Sequence, residues 1–425
     1  MITQKEIQKA REVLDFALQN GASGAAVDLS KSESDIVATL DGQIDRIARN
    51  SDSSLVLYLF VDGRYGSCFC NTCEADESFV LKSIEAVRLL EADPLRRLPT
   101  PDEQCKSAVT GLELEVYDKS RDSLDISDKT AIALKHSLFG KTELPEGVKL
   151  LSEEAEYCDS VEDQLLIDSN GLMRRHTETS FEYYACMTVQ GPDGEKYSDS
   201  YWDADPFLSG LDAAQCGPRA LKRAIANIGA RECRSGRYTM VVECDWAFAL
   251  LEPVVSALYG GAVSQKKSFL AGKLGKQVLP EGLTLIDDCH LHRQAGGCLF
   301  DNEGMPTQTS PIIEGGVLRK YFLSTYYAGK VGLEPTNSGL SRGHLMPLGG
   351  LKDQSEILKA CGSGIFVTGF NGGNTNSVTG DFSFGVEGFL FKNGKLGRPI
   401  DGMLVTGNIL DLWRHLKYAG EDVMA

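Results

Sequence analysis

The sequence predicts an α+β protein: a helix and antiparallel strands in the N-terminal part, then a β-rich C-terminal part that contains a buried helix. Three observations carry this. The chain opens with apolar residues at helical spacing, Ile7, Ala10, Leu14, Ala17 and Leu18. Runs rich in β-branched and aromatic residues follow, broken by Asp62-Gly63 and Asn170-Gly171, steps that favour tight hairpins. From about residue 283 onward the chain is Gly-rich, with short strand-like runs between turn signals.

Taken in order, residues 3–20 form a helix that Gly21 ends at C′. The stretch 34–69 supplies strands that turn at Asp62-Gly63, and residues 76–91 return to helical period through Val80, Ile84, Val87 and Leu90. Residues 94–104, with three prolines and few apolar anchors, read as a linker or long loop. Ser127-Asp128 caps a helix over 129–139, and a long hairpin turns about Asn170-Gly171. Pro218 suits N1 of a helix through Leu221, Ile225 and Ile228. A short strand then ends at Asp245, a candidate N-cap, before residues 246–259, which are apolar on every side and imply a buried helix. The expected division is 1–231, in two parts of about 1–95 and 110–231, and then 232–425.

Composition sets limits on function. At roughly 150 residues per domain, 425 residues make two to three domains. Lys and Arg number 43 against 60 Asp and Glu, a net charge of −17, which repels phosphate backbones and anionic membranes. No apolar stretch is long enough to span a bilayer, and the N-terminal helix lacks the apolar core of a signal peptide. A cytoplasmic protein is expected, with its 12 cysteines as free thiols.

No self-contained catalytic motif stands out. None of the six histidines is followed by Glu, and no two are three to five residues apart, so a helical zinc site of the His-Glu-x-x-His type is absent. Cys68, Cys70 and Cys73 form the densest thiol cluster but have no second knuckle, and read as small hydrophobes at a strand end. Cys289, His290 and His292 are a second candidate: if the segment is extended, the two imidazoles share a face. Gly372 and Gly373 lack the pattern of a phosphate loop and permit turns or close backbone approach. Asn374, Asn376 and Asp381 beside them serve either function or turn hydrogen bonding. Glu252 is the only charge within the 246–259 helix, and Pro253 follows it.

The blocks FLAGKLGKQV (269–278), LTLIDD (283–288), 298–336, 369–400 and TGNILDLW (406–413), in this order and spacing, resemble the TldD/PmbA family, also described as modulators of DNA gyrase or TldD/TldE peptidases. The resemblance implies two branches that pair. TldD-like subunits carry an HExxxH metal helix completed by a Cys near the C-terminus. Here the aligned positions are Glu252, Pro253 and Ala257, and no Cys follows Cys361. This places the chain in the PmbA/TldE-like branch, with no catalytic residue or metal ligand of its own and a Zn-type metal on a TldD-like partner. The resemblance further implies a cytosolic dimer, with a TldD-like paralogue or with itself, around a cavity that admits unfolded peptides. Gly372, Gly373, Asn374, Asn376 and Asp381 are then candidates for the substrate path, and neither nucleic acid nor membrane is a partner. Two alternatives stand beside this reading: a non-enzymatic peptide- or partner-binding protein of the gyrase-modulator type, and an independent hydrolase using Cys289, His290 and His292.

Overall fold

The computed structural model describes residues 1–421. The N-terminal half is organised by one antiparallel sheet. Its strands are β1 (Gly24–Leu40), β2 (Gln43–Val61), β3 (Arg64–Cys70), β4 (Lys149–Asp168), β5 (Met173–Gln190) and β6 (Lys196–Asp205), in the order β3-β2-β1-β4-β5-β6. The β2–β3 and β4–β5 hairpins turn where the sequence places them, and two more hairpins turn at Asp41-Gly42 and about Gly194. Asp62 and Gly63 adopt φ of 50° and 72°, the left-handed pair a type I′ turn needs, and Gly171 has φ of 93°.

All four helices of this half cover the same face. Helix α1 (Gln4–Gln19) starts with a capping box between Thr3 and Glu6, and α2 (Glu77–Arg88) starts at the Asp76 cap. Both bury their apolar stripes against Val27, Leu29, Leu55, Leu57 and Leu59. Helices α3 (Ile126–Lys135) and α4 (Ala213–Ala226) cover Tyr157, Phe181, Tyr183 and Met187 further along the strands. Two helix starts depart from expectation. The α3 cap is Asp125, whose carboxylate accepts from the Ser127 and Asp128 amides while Asp128 reaches back, so the helix begins three residues before 129. Helix α4 begins at Ala213 and runs through Pro218, because the small buried face Ala213, Cys216, Gly217, Ala220 continues across the proline and holds the first turns on the sheet.

Between the two apolar clusters runs a belt of buried charge. Asp35 and Asp159 are cross-strand partners on β1 and β4. Two like charges placed opposite each other repel. Lys129 of α3, only 2% exposed, bridges them with Nζ 2.5 Å from Asp35 and 2.8 Å from Asp159. Arg49 adds a bidentate pair to Asp35 (2.6 and 2.7 Å), and Arg121 lies 2.7 Å from Asp159. Next along β4, Asp163 takes Arg175, Thr177 and the Ile2 amide.

The C-terminal half is β-rich. After β7 (Met240–Val242) and α5 (Cys244–Ser256) come α6 (Gly260–Ser264), β8 (Leu285–Asp287), β9 (Ser310–Glu314), β10 (Val317–Leu318), α7 (Thr325–Val331), β11 (Gly343–Leu345), α8 (Gln354–Cys361), β12 (Ser363–Thr375), β13 (Asp381–Lys392), β14 (Lys395–Asn408) and α9 (Ile409–Arg414). They form two four-stranded sheets, β10-β9-β8-β11 and β14-β13-β12-β7. The main core of this half gathers Val254, Leu258, Leu270, Ile312, Phe322 and Trp413. No helix among the described residues is long and apolar enough to cross a membrane.

Replacing Lys129 by Met leaves two buried carboxylates facing each other without their shared cation. Lys129→Met lowers unfolding stability at pH 7 by about 3–5 kcal/mol, measured by denaturant titration. The bidentate Arg49 holds the Asp35 carboxyl well below the usual carboxylate range. Lys129 adds to that lowering, and its share is complete above the unfolded value near 4 and is lost as pH falls towards the folded one, so the gap between wild type and variant narrows below about pH 4.

Candidate functional site

Helix α5 is where the resemblance locates the family's metal chemistry. The strand β7 feeds directly into it, and the cap position is Glu243, not Asp245. Leu250, Pro253, Val254 and Val255 are buried in the C-terminal core, and Trp413 Nε1 donates to the Leu250 carbonyl at 3.0 Å. The helix is not buried on every side, as its composition implies. Ala247, Phe248 and Glu252 are exposed, Phe248 by 59%, because the core packs against one side only and no described residue covers the other.

Glu252 therefore needs no buried cation. Its carboxylate stands in solvent and accepts from the Ser256 hydroxyl one turn later at 2.5 Å. Pro253 and Ala257 are buried and carry no donor atom for a metal. These three positions do not fit a metal ion. Among the described residues, no three His, Cys, Asp or Glu side chains come together as a ligand set.

Trp246, at the start of α5, meets Phe370 of β12, with ring centroids 6.4 Å apart, and Phe370 meets Phe384 of β13 at 5.7 Å. This aromatic row leads to the hairpin that joins β12 to β13. Gly372 and Gly373 sit there at φ of 81° and 114°, where the register shifts between Phe370 and Gly373. At Gly373 a Cβ would collide with the Ser383 carbonyl, so the close backbone approach is real. The polar side chains divide. Asn376 Oδ1 accepts from the Val378 and Thr379 amides at 2.9 and 3.3 Å. Asp381 accepts from Thr379 Oγ1 at 2.8 Å and Asn408 Nδ2 at 3.1 Å, and these donors hold its carboxyl below the usual range. Both brace the turn. Asn374 is exposed, and its side chain bonds to no other described residue.

The thiol and imidazole candidates separate. Cys68 and Cys70 lie on β3, while Cys73 is buried in the N-terminal core with Sγ towards the Ser30 and Ser54 carbonyls. All 12 cysteines are free. Residues 289–290 and 292–293 form turns, so the extended geometry that would align His290 with His292 does not arise. The His290 ring contacts Thr307 Oγ1 at 3.0 Å instead, and Cys289 is buried beside Thr309.

Sequence reasoning missed a charged cluster at the start of α5. Arg223 of α4 places Nη2 2.8 Å from both Glu243 and Asp245. Asp199 of β6 and Glu387 of β13 stand in the same field, and Gly369 leaves the room that Glu387 fills. One arginine serves four carboxylates, and burial pushes the Asp199, Glu243 and Glu387 carboxyls up. The four acids come from three separate segments, so no spacing rule links them. The only local signal, Glu-x-Asp before an apolar run, resembles an N-cap.

The raised carboxyls make a testable demand. In the folded state they bind protons more readily than in the unfolded chain, so they cost stability above their folded values and the cost fades as pH drops towards 4. Glu387→Gln is expected to stabilise the protein at pH 7 by at most about 1 kcal/mol, with the gain disappearing near pH 4. Thermal unfolding across that range measures it.

Two family models match the chain: the PmbA/TldA metallopeptidase central domain over residues 120–228 and the C-terminal domain over residues 235–425. The metalloprotease PmbA of Escherichia coli O157:H7 is 26% identical, the match covering 100% of this chain and 94% of that protein. A metalloprotease TldD homologue of Haemophilus influenzae is 25% identical over 74% of this chain and 67% of its own length. Among solved structures, a protein of Bacteroides thetaiotaomicron described as a modulator of DNA gyrase superposes with a TM-score of 0.92 at 37% identity, over 99% of this chain and 95% of that one. TldE from Thermococcus kodakarensis shares the fold, with a TM-score of 0.78 at 19% identity over 97% and 94% of the two chains. The chain belongs to the PmbA/TldD metallopeptidase family.

Proposed function

We propose that this chain is the PmbA/TldE-type, non-metal subunit of a cytoplasmic TldD/TldE-type metallopeptidase acting on unfolded peptides. The observation that carries the reading is α5. The resemblance aligns it with the family's metal helix, and in it Pro253 and Ala257 offer no side-chain donor atom while Glu252 faces away from the core with Ser256 as its partner. A metal centre then belongs to a TldD-like partner, and this chain supplies wall and substrate path. The open apolar side of α5, with Phe248 at its centre, suits contact with a second subunit.

Peptide capture fits the outer sheet. β14 is the edge of the order β14-β13-β12-β7, and Leu404 on it is 69% exposed. An unpaired edge receives an extended chain through main-chain hydrogen bonds, which tolerates varied sequences. The β12–β13 hairpin, with Gly373 packed against β13 and Asn374 free, stands beside the Asn408 end of that edge. Asn376 and Asp381 act there through the shape of the turn.

Two outcomes are expected. Co-expressed with a TldD-like paralogue, the chain co-purifies with it, and the complex cleaves unfolded peptides while this chain alone does not. Metal-dependent cleavage by the isolated chain would overturn the assignment. Within the complex, Asn374→Ala lowers kcat/KM for peptides without changing the melting temperature. Asn376→Ala and Asp381→Ala instead lower the melting temperature, since each removes hydrogen bonds worth about 1 kcal/mol apiece. Steady-state kinetics and calorimetry on the three variants separate the roles.

A further inference from the structure

The helix-free face of the six-stranded sheet is roofed at one end by residues 94–104 and by Asn302, Glu303 and Tyr326 from the C-terminal half. Sheet and roof enclose a cavity of about 230 Å³. Tyr58, Phe60 and Tyr65 form its aromatic floor, with the Phe60 and Tyr65 rings 5.1 Å apart.

The charges on its wall are incompletely paired. The Arg96 guanidinium carbon stands 4.6 Å from the Tyr65 centroid and 3.4 Å from that of Tyr326. Ring faces attract the cation but occupy none of its five N–H donors. No carboxylate or carbonyl among the described residues accepts from them. Its neighbour Arg97 is closed by contrast, bidentate to Glu103 at 2.7 Å on both arms. On the acidic side Asp168 is filled by Gln104 and by the Asn170 and Leu172 amides. Glu303 accepts only from the Thr325 amide and hydroxyl, at 2.7 and 2.8 Å, one bond per oxygen, which leaves an acceptor position on each. Burial holds its carboxyl above the usual range. Arg96 and Glu303 thus line one space without forming an ion pair. The Tyr58 and Tyr65 hydroxyls also have no hydrogen-bond partner among the described residues.

We propose that this cavity binds a zwitterionic α-amino acid with an apolar or aromatic side chain. The α-carboxylate meets Arg96, the ammonium meets Glu303, and the side chain lies on the floor of Tyr58, Phe60 and Tyr65. A lone anion would face Glu303 uncompensated and a lone cation would face Arg96, so a ligand carrying both charges is the complement. The volume is below the roughly 300–1,000 Å³ of pockets for drug-sized ligands, which suits a single amino acid. This assignment does not depend on the peptidase reading, since it needs neither partner nor metal.

Isothermal titration of the full chain with L-phenylalanine, 3-phenylpropanoate, 2-phenylethylamine, glycine and glycyl-phenylalanine tests it. L-phenylalanine is expected to bind saturably, and the other four at least roughly tenfold more weakly, because each lacks one charge, the side chain or the adjacent ammonium. Arg96→Gln and Glu303→Gln are each expected to weaken L-phenylalanine by a similar factor. Three results would overturn the proposal: no saturable binding of L-phenylalanine up to about 10 mM, equal binding of 3-phenylpropanoate, or glycyl-phenylalanine binding as tightly, which would assign the cavity to peptide C-termini. The ligand series uses the unaltered protein, so misfolding of either variant leaves the test intact.

Discussion

The architecture of the N-terminal half depends on one buried cation. β1 and β4 pair in a register that sets Asp35 against Asp159, an arrangement that is repulsive until Lys129 enters between them. Because side chains alternate along a strand, a slip of one residue would carry one of the two carboxylates to the open face, together with the apolar residues its strand turns to the helices. Lys129 thereby ties helix α3 to a single register of the central strand pair. It also divides the helix-covered face into two dry clusters, one under α1 and α2 and one under α3 and α4.

With every helix of that half on one face, the other face is left to different uses. At one end it carries polar and aromatic residues that the C-terminal half roofs over, and the partly paired charges of Arg96 and Glu303 meet there. At the far side, the junction at Arg223 joins α4 and β6 to the start of α5 and to β13. Burial keeps the Asp199, Glu243 and Glu387 carboxyls raised in spite of the one arginine that holds the halves together, so the contact is loosened by neutral pH. The aromatic row from Trp246 to Phe384 then carries the position of α5 to the β12–β13 hairpin, which links that helix to the sheet edge.

Much of the fold is legible in the residues, wherever the signal is local. The stripe of α1, the Asp76 cap of α2, and the Asp62-Gly63 and Asn170-Gly171 turns are each set by a few adjacent side chains. Failures arise where distant packing overrules a local rule. Pro218 sits inside α4 since the small face on either side of it is anchored to the sheet. Asp245 belongs to Arg223, far away in sequence, and not to the helix cap. The apolar texture of α5 announces burial, yet one side of it is open, and composition does not distinguish a core from an exposed apolar surface. The alignment of Glu252, Pro253 and Ala257 with the family's motif needs only the order of residues, while the Arg223 and Arg96 environments require the tertiary structure.

The strand order has a consequence during synthesis. β1 lies between β2, its immediate successor, and β4, which begins at Lys149. When the first hairpin has left the ribosome, Asp35 already faces Arg49 across it, but the other edge of β1 has no neighbour until the chain from Val61 to Lys149 has been made. Translation proceeds at roughly 5–20 residues per second, so that edge waits several seconds for its partner. Over that interval the nascent hairpin exposes an unpaired edge, the kind of surface that joins wrongly to other chains. Asp35 and its neighbours Glu33 and Lys31 put charge along that waiting strand and keep it hydrated until β4 arrives.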